Sequence, residues 1–224
     1  MPVAVKTCGL SDRPAVDAAL AGGARYLGFV FFPPSPRNVA PGRAAALSAG
    51  LPDGIASVGV VVDPDDEFLD GILSEVRLDY IQLHGNESPA RAQAIRARTG
   101  CRIIKAISVS QASDIERAED YGGSADLVLF DAKTKAGDTR PGGNARAFDW
   151  RLFEAAPPPS TGWFLSGGLD VGNVGEAIRI TGARAVDVSS GIESAPGRKD
   201  PDKIGAFLAA AAAADAPVAS EATA

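Results

Sequence analysis

Residues 80–107 read YIQLHGNESPARAQAIRARTGCRIIKAI, and they hold one complete strand–helix–strand unit. Tyr80 to Leu83 and Arg102 to Ile107 are short apolar runs, nearly continuous, as expected of parallel strands covered on both faces. Between them Ser88 is an N-cap. Pro89 occupies the first helical position, where its missing N–H costs nothing, and Gly100 stands where the helix must stop. Cys101, at the start of the second strand, reads as a small buried hydrophobe.

The same unit repeats on both sides. Upstream, the strand runs are Val3 to Lys6, Tyr26 to Phe31 and Ser57 to Val62; downstream they are Leu127 to Phe130, Trp163 to Leu165 and Ala185 to Val188. Asp12 with Pro14 opens an early helix, and the pair Gly22, Gly23 closes it. Behind the acidic start Asp65, Asp66, Glu67, the residues Phe68, Leu69, Ile72, Leu73 and Val76 form one apolar stripe. Ile204, Phe207, Leu208 and Ala211 give the last helix a buried face. Pro157, Pro158 and Pro159 make a stiff connection before the seventh strand.

Eight βα units in a chain of 224 residues predict the α/β class and a single (β/α)8 TIM barrel. An open sheet of the same strands would leave two edges to protect. The barrel is expected to span residues 1–215 as one domain, with 216–224 a fraying tail that has little to pack.

Composition narrows the function. With 46% hydrophobic and 22% charged residues, the chain can bury a full core, and 28 acidic against 22 basic side chains leave a net charge of −6. There is no basic stripe for nucleic acid. The longest apolar tract, Phe207 to Ala214, is far short of the roughly 20 residues that span a bilayer. No signal-like segment opens the chain, which predicts a cytoplasmic protein. Two cysteines and one histidine, without metal-ligand spacing, turn the argument away from zinc and from disulfides. No cofactor fingerprint or P-loop is present, and the expected partner is a small molecule.

In such a barrel the chemistry belongs at the carboxyl ends of the strands. Cys8, the Ser35–Pro36–Arg37 loop, His84, Asp131, Gly167 with Gly168, and Asp187 with Ser189, Ser190 and Gly191 stand there. The glycine pair in LSGGLD and the SSGIE segment follow strands seven and eight, where backbone N–H groups commonly cradle phosphate. Alternation puts Ala4, Lys6 and Cys8 on one face, so a Cys8 at the mouth sets Lys6 one layer deeper. A buried lysine needs a carboxylate, and Asp131 and Asp187 are the candidates. A thiol with a reference pKa near 8.5 works as a base only where its surroundings favour the thiolate. With a carboxylic acid opposite, the pair could move protons on either side of a bound sugar.

The ordered set KTCGL, GFVFFPPSPR, VGVVV, IQLHGNE, IIKAI, LVLFDAK, GGNARAFDW, SGGLDVGNV and DVSSGIESAPGRKD resembles the phosphoribosylanthranilate isomerase family of tryptophan biosynthesis, from Lys6 to about Ile204. The resemblance implies a cofactor-free Amadori rearrangement of a phosphorylated aminosugar. Asp131 would be the general acid and Cys8 the general base. Arg37 would take the anthranilate carboxylate, Gly167, Gly168, Ser190 and Gly191 the phosphate, and Asp187 the sugar hydroxyls or the positioning of Lys6. His84 is expected to make a structural hydrogen bond. The family commonly carries a GGTG-like turn where this chain has Gly142, Gly143, Asn144 and Ala145. A monomer or homodimer is expected. A bifunctional histidine/tryptophan isomerase is the nearest alternative; enzymes of that kind use aspartate where Cys8 stands. A non-catalytic sensor of a phosphorylated metabolite is a third reading.

Overall fold

The computed structural model describes residues 2–133 and 147–214. The Gly142–Ala145 turn and the 216–224 tail lie outside them. Eight parallel strands pair in chain order: β1 (Ala4–Cys8), β2 (Tyr26–Val30), β3 (Ala56–Val61), β4 (Tyr80–Leu83), β5 (Arg102–Val109), β6 (Leu127–Ala132), β7 (Trp163–Leu165) and β8 (Ala185–Val188). β8 returns to β1 with Lys6 opposite Asp187, which closes the barrel. The helices are α1 (Arg13–Ala21), α2 (Pro41–Ser48), α3 (Asp66–Glu75), α4 (Pro89–Thr99), α5 (Ala112–Glu116), α6 (Leu152–Ala155), α7 (Val174–Thr181) and α8 (Pro201–Ala214). No described helix is long and apolar enough to cross a membrane.

The helix ends follow their sequence signals. The Asp12 carboxylate accepts from the Ala15 N–H at 2.9 Å, Asp65 from Phe68 at 2.8 Å, and the Ser88 hydroxyl from Arg91 at 3.2 Å. Each such cap contributes about 1 kcal/mol. Gly100 ends α4 with φ +71°, a left-handed conformation that suits glycine. Phe68 departs from expectation. Leu69, Ile72 and Val76 are buried, but Phe68 is 38% exposed, because the residue before Leu69 is turned about 100° around the helix.

Side chains fill the barrel in layers. Near its amino-terminal end the Tyr26 ring meets Phe164 edge-on at 5.0 Å and Tyr80 at 5.8 Å, packed with Val58, Ile104 and Leu129. Cys8, Val30 and Val60 form an apolar cluster nearer the carboxyl ends. Several strands run further than their apolar residues suggest. β1 reaches Cys8 and β6 reaches Ala132, because ladder hydrogen bonds are made by backbone and do not require an apolar side chain. An antiparallel hairpin, β9 (Glu193–Ala195) with β10 (Arg198–Lys199), follows β8 and has no apolar alternation to announce it.

Candidate active site

The carboxyl ends of the strands surround a cavity of about 730 Å³, open mouth included. Cys8, Arg37, Asp131, Gly167, Gly168, Asp187 and Ser190 all line it, together with Gln82 and His84. Gly191 sits just behind this wall. A Cβ there would lie 2.0 Å from the Leu169 carbonyl oxygen, so the loops after β7 and β8 can touch only through glycine. Gly167 and Gly168 both have positive φ, +84° and +64°, which turns the chain sharply as it leaves β7.

On one wall Lys6 is fully buried, and its Nζ donates to Asp187 Oδ1 at 2.8 Å. Of the two carboxylates open to Lys6, Asp187 is the partner. The other Asp187 oxygen accepts from Ser166 Oγ at 3.1 Å. Burial would lower the Lys6 pKa, but the charges of Asp187 and Cys8 outweigh it and hold the ammonium above its ordinary value. Burial pushes the Cys8 thiol up; Lys6 pulls it down by charge and hydrogen bond without cancelling the burial. Cys8 therefore faces a buried cation that opposes, without reversing, the effect of burial on its thiol.

On the other wall, Asp131 Oδ1 accepts from the Ala132 N–H at 2.9 Å, and Oδ2 lies 3.2 Å from His84 Nε2. His84 Nδ1 lies 2.8 Å from Gln82 Nε2. The imidazole thus bridges the Gln82 amide and the Asp131 carboxyl, one through each ring nitrogen. Gln82 Oε1 is buried without a hydrogen-bond partner among the described residues.

Arg37 is held more firmly than a loop arginine. Its Nε and Nη2 form a two-pronged pair with Glu193, at 2.7 and 2.9 Å. Lys199 Nζ reaches the same carboxylate at 2.9 Å and the Ser189 carbonyl at 2.8 Å. Burial would lift the Glu193 carboxyl, but hydrogen bonds and charge from Arg37 and Lys199 hold it below the usual range. Lys199 is shifted down by its own burial, against the pull of Glu193.

Sequence reading missed Glu193 and Lys199, and also a second buried pair. Lys105 Nζ lies 2.7 Å from Glu87 Oε2, while Glu87 Oε1 accepts from the Asp63 and Gly85 N–H groups. That pair ties down the loop carrying His84. A lysine inside the apolar run IIKAI was a legible signal, since a buried ammonium requires a carboxylate.

A family model described as N-(5'-phosphoribosyl)anthranilate (PRA) isomerase matches residues 5–210. A curated relative of that name from Paramagnetospirillum magneticum is 54% identical over 211 residues, 94% of this chain and 98% of the relative. A solved phosphoribosyl anthranilate isomerase in complex with reduced 1-(o-carboxyphenylamino)-1-deoxyribulose 5-phosphate is similar with TM-score 0.78 and 35% identity, over 93% of this chain and 98% of that one. Monomers generated from the dimeric isomerase of Thermotoga maritima are similar with TM-score 0.77 and 36% identity, over the same 93% and 98%.

Proposed function

The chain belongs to the N-(5'-phosphoribosyl)anthranilate isomerase family and serves the isomerase step of tryptophan biosynthesis, and from that premise we propose which residues carry the reaction. Asp131 is the general acid. Its carboxyl proton goes to the furanose ring oxygen, the C1–O bond breaks, and the nitrogen lone pair forms a Schiff base. Cys8, as thiolate, removes the proton from C2 to give the enolamine. Addition of a proton at C1 and loss of one from the C2 hydroxyl then yield the ketone, 1-(2-carboxyphenylamino)-1-deoxyribulose 5-phosphate. The observation that carries this assignment is that a thiol facing the buried Lys6 ammonium and a carboxyl within hydrogen-bond distance of His84 line one cavity.

The remaining roles follow from chemistry. Arg37 meets the ring carboxylate, since a planar guanidinium matches a carboxylate in two-pronged fashion. The backbone N–H groups around Gly167, Gly168, Ser190 and Gly191 receive the phosphate. Asp187 holds Lys6 against Cys8. A small phosphorylated aminosugar bound by one chain's own strand ends is served equally well by a monomer or a homodimer. We assign the protein to the cytoplasm, where the Cys8 thiol stays reduced.

Purified protein given N-(5'-phosphoribosyl)anthranilate is expected to convert it without added metal or nucleotide, with inorganic phosphate competing. Absence of turnover, or conversion that requires an added cofactor, contradicts the reading.

A further inference from the structure

The loop after β4 is built around a buried ion pair. Lys105 on β5 and Glu87 in that loop are both buried, and neither is among the residues lining the cavity. An ammonium has three hydrogens to donate. Lys105 Nζ directs them to the Leu83 carbonyl at 3.3 Å, the Gly85 carbonyl at 2.7 Å and Glu87 Oε2 at 2.7 Å. Leu83 and Gly85 flank His84 in sequence, so the lysine grips the backbone on either side of the histidine. The His84 N–H itself donates to the Val61 carbonyl at 2.9 Å.

Glu87 holds the same loop from its far end. Its carboxylate accepts from the Asp63 N–H at 2.8 Å and from the Gly85 N–H at 3.1 and 3.0 Å, while its backbone carbonyl accepts from the Tyr121 hydroxyl at 2.8 Å. Asp63 has φ +44°, uncommon for a residue other than glycine, and its Oδ1 accepts from the Asn86 N–H at 2.7 Å. For stability alone, apolar residues of similar volume often replace a buried ion pair at little cost. What this pair supplies is direction, since every hydrogen of the ammonium goes to residues 83–87.

That direction reaches the reacting wall through the imidazole. The final torsion of an aspartate is soft, so its carboxyl takes the orientation that its partners set. Asp131 Oδ1 is met by the Ala132 N–H at 2.9 Å, and Oδ2 lies 3.2 Å from His84 Nε2. We infer that Lys105 and Glu87 are positioning residues for Asp131, acting through His84. This rests on the reading of Asp131 as the general acid. The pair acts on kcat rather than on binding, because a misplaced catalytic group loses rate even where the substrate is still held.

Lys105→Met/Glu87→Gln removes both charges together, so neither is left buried alone. The whole protein is compared as wild type, this pair variant, His84→Asn, the combination of the two, and Asp131→Asn. KM and kcat are measured for N-(5'-phosphoribosyl)anthranilate, and dissociation constants for reduced 1-(o-carboxyphenylamino)-1-deoxyribulose 5-phosphate by calorimetry. The pair variant is expected to lose about 2- to 10-fold in kcat, the range of one ordinary hydrogen bond, with KM and the dissociation constant little changed. The combination should be no slower than His84→Asn alone. The chain has one histidine, so its imidazole gives an unambiguous NMR signal, which should move in the pair variant. A wild-type kcat, a loss matched by weaker binding, a loss that multiplies with that of His84→Asn, or an unmoved imidazole signal overturns the inference while leaving Asp131 in its role. Asp131→Asn as fast as wild type overturns both. If the pair variant does not fold, Glu87→Gln, which keeps the side chain's length and one accepting oxygen, is judged by the same comparisons.

Discussion

Lys6 and Asp187 form a buried ion pair across the β1–β8 seam that closes the barrel, with Nζ 2.8 Å from Oδ1 and the two residues directly opposite in register. The pair joins closure of the fold to the chemistry of the site, because the same ammonium faces Cys8.

Removing one member leaves a buried charge uncompensated, which costs about 3–5 kcal/mol. Asp187→Ala is therefore expected to lower the melting temperature by about 6–20 °C in a domain of this size. Adding Lys6→Met to that variant should restore much of the lost stability and none of the activity. Urea denaturation separates the two effects; a double variant no more stable than Asp187→Ala contradicts the account.

The pH profile follows from the raised Cys8 pKa. Burial favours the thiol and Lys6 opposes it, so the basic form grows in as pH rises through and above the ordinary thiol range. We expect kcat/KM to climb on the alkaline side of neutrality. In Lys6→Met the opposing cation is gone, and the rising limb should move to higher pH. A limb that stays in place or moves to lower pH contradicts a role for Lys6 in ionising Cys8.

Gly28 on β2 lies against both groups. A Cβ there would stand 3.0 Å from Cys8 Sγ and 3.2 Å from Lys6 Nζ, closer than side chains normally tolerate. Gly28→Ala should displace the thiol and cut kcat, and should also lower stability, since the Cys8 Cα at 3.1 Å is backbone and cannot swing aside. Paired kinetic and melting measurements check it. Unchanged kcat would mean that the thiol's position is not critical.

The barrel was legible because its signals are local. A run such as Tyr80–Leu83 followed by Ser88–Pro89 needs only neighbouring residues to be read, and the caps at Asp12, Asp65 and Ser88 form where those residues stand. The strand-end candidates were legible for the same reason, once eight units implied a barrel. The supports of the site were not. Glu193 meets Arg37 across 156 residues, and the hairpin residues ESA and RK show no strand period. Lys6 could be assigned a carboxylate from its burial, but choosing Asp187 over Asp131 required the β1–β8 register.

Acid stability offers a check on Glu193 that does not depend on substrate. Its carboxyl is held below the usual range by Arg37 and Lys199 against its burial. A depressed pKa contributes stability that is present above the unfolded value, near 4.3, and is lost as pH falls through the folded value. Wild type should therefore lose stability as pH drops below about 4.3, and Glu193→Gln, already weaker at neutral pH, should lose less over that interval. Parallel losses in urea unfolding across this range contradict the assignment.

The central claim is that Cys8 and Asp131 move the protons. It is tested most directly by kcat for N-(5'-phosphoribosyl)anthranilate in Cys8→Ser and Asp131→Asn, each confirmed folded by its melting curve. A positioned acid or base contributes about 10²–10⁴-fold, and each variant is predicted to lose at least roughly 10²-fold in kcat. Either variant turning over at a rate close to wild type contradicts the claim for that residue.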